Sequence, residues 1–259
     1  MNNKELEKIA KSVRKTLFEI KTRDGIGHLH SSLSCVDILV SLFYDDRTNF
    51  NHEKDIVLFG KAHGSPSIYP ILADLEYFPK EELDKYCRPG GILRLHSDAS
   101  IPGCHFVGGS LGNGIGYASG LALANRDKNY YIIMGDSELY EGSHHNLTNL
   151  KIIVDRNGLG TIGETEKMLK LEPLEDKFKS FVGDVKTING HDFDALRDIF
   201  SNDIPQAIIA DTIKGKGVSY MEGKWKYHVV IPSSEEDIKT GLEELSWHKE
   251  IHLLKNYLK

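Results

Sequence analysis

Two residues of this 259-residue chain stand where a hard cation could be held. Asp136 follows the apolar run Tyr130–Met134, and Asn157 follows the run Leu150–Val154. Both runs are short, apolar and rich in Ile, Val and Tyr, so both read as strands. An open parallel sheet gathers ligands at the carboxyl ends of its strands. Oxygen ligands with room left for phosphate oxygens are what Mg²⁺ prefers. Glu141 lies close by in sequence. Gly135-Asp136 and Asn157-Gly158 are also ordinary turn pairs, so a strand ending in a plain turn accounts for the same residues.

Three other groups of residues could carry chemistry. His28, His30, His63, His96 and His228 all sit in loop-like or Gly/Ser-containing surroundings. A neutral imidazole beside a phosphate or a sugar hydroxyl is a useful proton carrier near neutral pH. Twelve histidines make some such placements inevitable, and a surface or structural role is the plain alternative for any one of them. Gly108-Gly-Ser-Leu-Gly-Asn-Gly-Ile-Gly116 opens an apolar helix, where free N–H groups and the dipole favour an anion. Close helix packing explains glycines equally well. Asp211-Thr-Ile-Lys-Gly-Lys-Gly217 is a strand running into a basic turn, readable as a solvated loop, a lid or an anion contact.

These residues need elements to position them. Leu6, Ile9, Val13 and Leu17 fall on one face of an opening helix, followed by the turn Asp24-Gly-Ile-Gly27. Ser34-Cys-Val-Asp37 reads as a capping signal for the helix Val36–Tyr44. Asp55–Phe59 is a buried-strand candidate, and Pro70–Leu75 and Lys80–Tyr86 look helical. Cys87–Val107 is a long Gly-, Pro- and His-containing loop, of a length that tends to be functional. Gly109–Arg126 begins with glycines and becomes helical. After the two strands come a loop over Glu166–Pro173, a helix over Leu174–Phe181, a strand over Asp184–Ile188, a helix over Phe193–Phe200 and a strand over Gln206–Asp211. Strands alternating with helices predict an α/β fold with a doubly wound, mainly parallel sheet. Residues 1–259 are expected to form one domain, with Ser233–Lys259 as a helical tail.

Composition narrows the classes. Forty per cent hydrophobic and 27 per cent charged residues is ordinary globular usage. A net charge of −6 without a run of basic residues argues against nucleic acid. Cys35, Cys87 and Cys104 are odd in number and widely spaced, which fits free thiols in a reducing compartment. A polar amino terminus and no apolar run near the ~18 residues of a membrane span predict a cytoplasmic protein with neither secretion signal nor membrane segment.

In order along the chain, these segments resemble the diphosphate-binding domain of transketolase, as found in the separate N-terminal subunit of split transketolases. Gly27-His-Leu-His-Ser-Ser-Leu-Ser-Cys-Val-Asp-Ile-Leu39 is similar to the family's GH(I/L)GGSLS-type opening. Gly60-Lys-Ala-His-Gly-Ser-Pro-Ser-Ile-Tyr69 resembles SKGHASPALY. Pro102-Gly-Cys-His-Phe-Val-Gly-Gly-Ser-Leu-Gly-Asn-Gly114 resembles the PG…TGSLGxG block, and Asp211–Glu222 resembles DTIKGKGVSFME. The resemblance implies thiamine diphosphate held through Mg²⁺. It implies Asp136, Asn157 and the carbonyl of Leu159 as metal ligands. His63, Gly108, Ser110, Leu111, Gly112, Gly135, Asp136, Ser137, Glu141 and Asn157 would bind the cofactor. His63 would contact the diphosphate, His96 would lie near the reacting carbon, His28 would handle substrate hydroxyl protons, and His228 would be a further substrate-side histidine. The implied reaction moves a two-carbon ketol group between sugar or sugar-phosphate substrates. The carboxylate that activates the cofactor would come from a C-terminal partner subunit carrying the pyrimidine domain, with homodimeric contacts or a heterotetramer.

The chain departs from that pattern at two places. Ser137 replaces the second Gly of GDG, which raises a steric or backbone objection. About two to three turns of helix are missing after Glu141-Gly-Ser143. About fifteen residues then remain between the strands, near the dozen or so that a parallel crossover needs. The loop is expected to be rebuilt or mobile. His30 replaces a small Gly and is expected beside His28, where it could alter specificity or obstruct the site. Four readings follow: a catalytic transketolase subunit; a transketolase-like subunit that has lost the cofactor and is structural or regulatory; a deoxyxylulose-phosphate synthase; and a nicotinamide-binding protein.

Overall fold

The structure is a computed structural model that describes residues 1–106, 109–141, 149–201 and 203–246, the side chains of Tyr140 and Glu141 excepted. The chain opens with α1 (Asn3–Asp24), α2 (Leu29–Ser34) and α3 (Val36–Tyr44), then β1 (Ile56–Phe59), a 3₁₀ segment over Ala62–Ile68, α4 (Tyr69–Asp74) and a 3₁₀ segment over Lys80–Lys85. A long stretch without described helix or strand leads to α5 (Asn113–Ala124), β2 (Tyr130–Gly135) and a 3₁₀ segment over Asp136–Glu141. β3 (Leu150–Arg156), α6 (Thr165–Met168), α7 (Leu174–Val182), β4 (Val185–Asn189), α8 (Phe193–Ser201), β5 (Ala207–Asp211), a 3₁₀ turn at Trp225–His228 and α9 (Glu235–Glu244) complete it. The two strands that flank the Asp136…Asn157 segment are therefore present, and Asp136 and Asn157 each follow the end of one. The 166–173 stretch, expected as a loop, begins inside α6. Among the described residues no helix is long and apolar enough to cross a membrane, and Cys35, Cys87 and Cys104 are free.

The five strands run parallel in the order β1-β2-β3-β5-β4. The chain builds outward through β1, β2 and β3, then skips a place to β4 and returns with β5, so the winding reverses at the edge strand β4. Helices cover both faces, as a doubly wound sheet requires. Alternation sorts the side chains of β2 and β3. Tyr131, Ile133 and Ile153 join Leu17, Phe18, Leu33 and Leu39 in one core, and Ile132, Met134, Ile152 and Val154 join Ile115, Leu174 and Phe178 in the other. All six residues of β2 are buried, which is why that strand reads as an unbroken apolar run.

Local chemistry explains the elements near the front of the sheet. α1 carries a capping box, Asn2 Oδ1 accepting from the Glu5 amide at 3.1 Å and Glu5 Oε2 from the Asn2 amide at 2.8 Å. The expected capping signal at Ser34–Asp37 is not used as a cap, although α3 spans the expected residues. Cys35 precedes α3 without a side-chain cap. Ser34 turns inward instead, donating to Asp155 at 2.6 Å. Gly114 answers a packing demand, since a Cβ there would stand 2.8 Å from the Cα of Gly60. This close approach brings the first turn of α5 against the segment that follows β1.

The short crossover does not prevent parallel pairing of β2 with β3, whose register runs from Tyr130↔Leu150 to Gly135↔Asp155. Its first six residues form the 3₁₀ segment Asp136–Glu141, so the connection is rebuilt; the remainder, 142–148, lies outside the described residues. The backbone objection to Ser137 does not hold: it sits inside that segment, and Glu76 and Cys87 are the described non-glycine residues with positive φ.

Beneath the carboxyl ends of the strands lies a buried ion pair. Lys61 and Asp155 are both essentially inaccessible and their side chains meet directly. Asp155 also accepts from Ser34 and Thr212. Lys61 also donates to the Ser31 carbonyl at 3.1 Å and to Ser34 Oγ at 3.3 Å. Burial opposes both charges, but each holds the other ionised, the lysine pKa raised and the aspartate pKa lowered. Removing one partner strands a buried charge. Asp155→Ala should therefore lose ~3–5 kcal/mol of stability in urea unfolding, and Lys61→Met with Asp155→Leu should lose less than the two single changes added. Additive losses would show that the pair is not coupled.

Candidate functional site

A cavity of about 230 Å³ opens at the carboxyl ends of β1, β2 and β3. Its wall includes His28, His63, His96, His228, Leu111, Gly135, Asp136, Ser137, Asn157 and Leu159. Ten of the residues singled out in the sequence, from segments up to 200 positions apart, thus meet around one space. Ser110 is exposed and not on this wall. Gly112 is buried beside it, its N–H donating to Glu138 Oε1 at 3.0 Å. Gly108 lies outside the described residues, as does the side chain of Glu141.

The four histidines form a cluster. Ring centroids lie 5.7 Å apart for His28 and His63, 6.0 Å for His28 and His96, 5.8 Å for His28 and His228, and 5.4 Å for His63 and His228. His28 precedes α2, His63 lies in the 3₁₀ segment after β1, His96 is on the long loop, and His228 ends the 3₁₀ turn after β5. His28 Nδ1 lies 3.3 Å from the His228 carbonyl and donates its N–H there. Burial lowers all four pKa values, and neighbouring cationic groups lower them further: Lys21 and Lys214 at His28, Lys61 and Lys214 at His63, Lys21 at His96. His228 falls to about 3, through burial first and Lys214 next. At neutral pH these are uncharged imidazoles, able to accept or donate at a hydroxyl.

The Asp136 group shares the same wall. Asp136 is 3% exposed. Its Oδ1 accepts from the Ser137 amide at 2.9 Å, and its Oδ2 from the Asn157 and Gly158 amides at 3.1 and 2.6 Å. Asn157 Oδ1 accepts from the Leu159 amide at 3.2 Å. The Leu159 carbonyl accepts from Lys214 Nζ at 2.7 Å. Burial lowers the Lys214 pKa to about 8, against the pull of Asp136 and Asp155. Among the described residues, four polar atoms on the cavity wall are buried without a partner: Ser31 Oγ, Ser137 Oγ, His96 Nε2 and His228 Nδ1. Unpaired buried polar atoms are rare in folded proteins, and four around one space suit a polar ligand.

Sequence reasoning passed over several wall residues. Lys214 belongs to the Asp211–Gly217 turn, for which a solvated loop was one reading, yet it is 2% exposed. Lys61 stands in the Gly60–Tyr69 block with no role implied for it. Ser31, Glu138 and Thr161 also line the cavity, Thr161 Oγ1 at 3.2 Å from His228 Nε2. Only Lys214 and Lys61 left a signal, as cations set among glycines. His30 is not on the wall; it is fully buried behind it.

The lowered imidazole pKa values have a consequence for stability. Below the ordinary histidine value of 6.5 the unfolded chain takes up protons that the folded chain refuses, so stability falls as the pH drops. Calorimetric unfolding midpoints should fall between about pH 7 and pH 5. His228→Asn should make that slope shallower, and an unchanged slope would contradict the assignment.

Comparison with known proteins follows the same lines. The family described as 1-deoxy-D-xylulose-5-phosphate synthase matches residues 1–157. An apulose-4-phosphate transketolase subunit from Actinobacillus succinogenes is 34% identical, over 93% of this chain and 96% of its own length. The 6-deoxy-6-sulfo-D-fructose transketolase subunit of a Clostridium species is likewise 34% identical, over 93% and 96%. Among solved structures, the transketolase of Campylobacter jejuni superposes with a TM-score of 0.82 at 26% identity, covering 95% of this chain and 43% of that one. The transketolase of Leishmania mexicana shares the fold at 0.82 and 24% identity, covering 93% and 41%. The chain thus spans about two fifths of the solved transketolases and nearly the full length of the separate subunits. The chain belongs to the transketolase family, its first 157 residues within the family described as 1-deoxy-D-xylulose-5-phosphate synthase.

Proposed function

We propose that this chain is the N-terminal subunit of a split transketolase, binding thiamine diphosphate and Mg²⁺ and moving a two-carbon ketol group between sugar or sugar-phosphate substrates. The observation that carries the reading is the cavity itself. Uncharged imidazoles, the Lys214 ammonium and the unpaired Ser31 and Ser137 hydroxyls share its wall. This donor set suits a ligand with a diphosphate at one end and a hydroxylated substrate at the other. Asp136, Asn157 and the Leu159 carbonyl offer hard oxygens, each able to accept beyond its present hydrogen bonds, as Mg²⁺ requires. Thiamine diphosphate, when bound, supplies a nucleophilic carbon and an electron sink for the two-carbon fragment.

The chain's own residues have separable tasks in this reading. His63 and Lys214 bind the diphosphate; Gly135, Ser137 and Leu111 shape its bed. His28 and His96, stacked 6.0 Å apart, hold and move hydroxyl protons at the reacting end, with His228 beside them. Their low proton affinity keeps them bases at neutral pH. Burial of the cluster excludes water from the proton transfers.

A partner subunit is part of the proposal. Exposed apolar side chains adjoin the wall residues in sequence: Ile26 near His28, Leu95 before His96, Ile162 after Thr161, Ile213 before Lys214, and Val229 and Val230 after His228. Ile162 is 77% exposed. A rim of this kind around a polar cavity fits a protein surface that another subunit covers. The relatives that match end to end are themselves named as subunits. The partner would bring the pyrimidine domain and its activating carboxylate.

A second reading, a structural or regulatory subunit without cofactor, draws on one contact. Lys214 Nζ already donates to the Leu159 carbonyl, so a fixed ammonium stands beside one of the three metal-side oxygens. Calorimetric titration with thiamine diphosphate, with and without Mg²⁺ and with and without a partner subunit, separates the two. The first reading expects Mg²⁺-dependent binding that Asp136→Ala abolishes; no binding under any condition sinks it. Lys214→Met should weaken binding about tenfold or more, the worth of a charge-assisted hydrogen bond at ~1.5–3 kcal/mol.

A further inference from the structure

We propose that His30 and His191, neither of which lines the cavity, are positioning residues that clamp the turn following β5 from two sides and thereby deliver Lys214 to the cavity wall. Lys214 sits in a turn whose base is closed by the Gly223 amide donating to the Lys214 carbonyl at 3.0 Å. Val218 and Met221 seat its far part in the core, whereas Lys214 itself must reach the cavity. Its aim depends on what holds its two ends.

His191 holds the entry. The Ile213 amide donates to His191 Nε2 at 2.8 Å. A ring nitrogen that accepts from an N–H carries no proton, so the proton of the neutral ring is on Nδ1, which donates to Asp37 at 2.5 Å. Asp37 in turn accepts from both terminal nitrogens of Arg14, at 2.9 and 2.6 Å. Burial works against that carboxylate, but Arg14 and His191 bring its pKa to about 2. The relay runs from α1 through α3 to the residue directly before Lys214. Arg14 also packs against the far part of the turn, its Cδ 3.1 Å from where a Gly217 Cβ would stand.

His30 holds the middle and the exit. Its carbonyl accepts from the Gly215 amide at 3.1 Å, and its Nε2–H donates to the Met221 carbonyl at 2.9 Å. The ring lies so close to Gly215 that a Cβ there would meet His30 Cδ2 at 2.3 Å, and Gly215 has φ +82°. Imidazole and glycine therefore fit only as a pair. His30 does not obstruct the cavity beside His28, as its neighbourhood in sequence suggests; two residues are about half a turn of helix, which takes it off the wall.

The test uses the full chain and two readouts. His191→Leu and His30→Leu should each speed amide exchange at Ile213 and Gly215 and lower affinity for inorganic pyrophosphate, each by about tenfold, the worth of one lost hydrogen bond. His191→Gln, which restores an acceptor and a donor, should recover both. Leucine variants that keep native exchange and native affinity would overturn the proposal. Should they fold poorly, ¹⁵N shifts of the native imidazoles decide: His191 protonated on Nδ1 and His30 on Nε2 support the clamp, and either opposite tautomer overturns it. The affinity readout rests on the diphosphate reading of the cavity. If the native chain binds no pyrophosphate, that reading fails, while the exchange measurements still decide the clamp.

Discussion

The Lys61–Asp155 pair is the contact on which the rest of the structure turns. Asp155 ends the pairing of β3 with β2 and Lys61 lies just after β1, so the pair spans the intervening β2 beneath the cavity floor. Ser34 from α2 and Thr212 from the end of β5 close on the same carboxylate. Four segments that each carry a wall residue are therefore tied to one buried charge. A buried ion pair of this kind is weak as a source of net stability, since desolvation offsets most of the attraction. Its strength is geometric: with both lysine and carboxylate dry, no other arrangement satisfies either group.

The site inherits its electrostatics from that floor. Lys61 lowers the proton affinity of His63 and His228, while Asp155 helps Lys214 to stay protonated. The cavity thus sets a buried ammonium beside neutral imidazole bases. Such a combination suits a ligand with an anionic anchor and a hydroxylated reacting end. It arises from burial and from the placing of two lysines and two aspartates, with no residue of unusual type.

Much of this was legible in the residues. The strand–helix alternation gave the parallel sheet because apolar runs and helical periodicity are local properties of the chain. Asp136 and Asn157 were legible because strand ends in such sheets collect ligands. His28, His63, His96 and His228 were legible only through the blocks they sit in; spacing alone, across 200 residues, says nothing about whether imidazoles meet. His30 was misplaced because sequence proximity to His28 is undone by about half a turn of helix. Ser137 raised an objection that its 3₁₀ backbone removes. Ser34 looked like a cap because its type and spacing fit one, yet a buried carboxylate is the stronger attractor for its hydroxyl.

By itself, then, the sequence determined the class of fold, the strand ends that bear candidate ligands, and the family. These follow from periodicity and from blocks of residues that lie close together along the chain. Only the tertiary structure decided that Lys214 is buried rather than solvated, that the four imidazoles share one cavity, and that His30 faces away from it. The physical reason is the same in each case. Burial, partner and pKa depend on groups brought together from distant segments, and those distances exist only once the chain has folded.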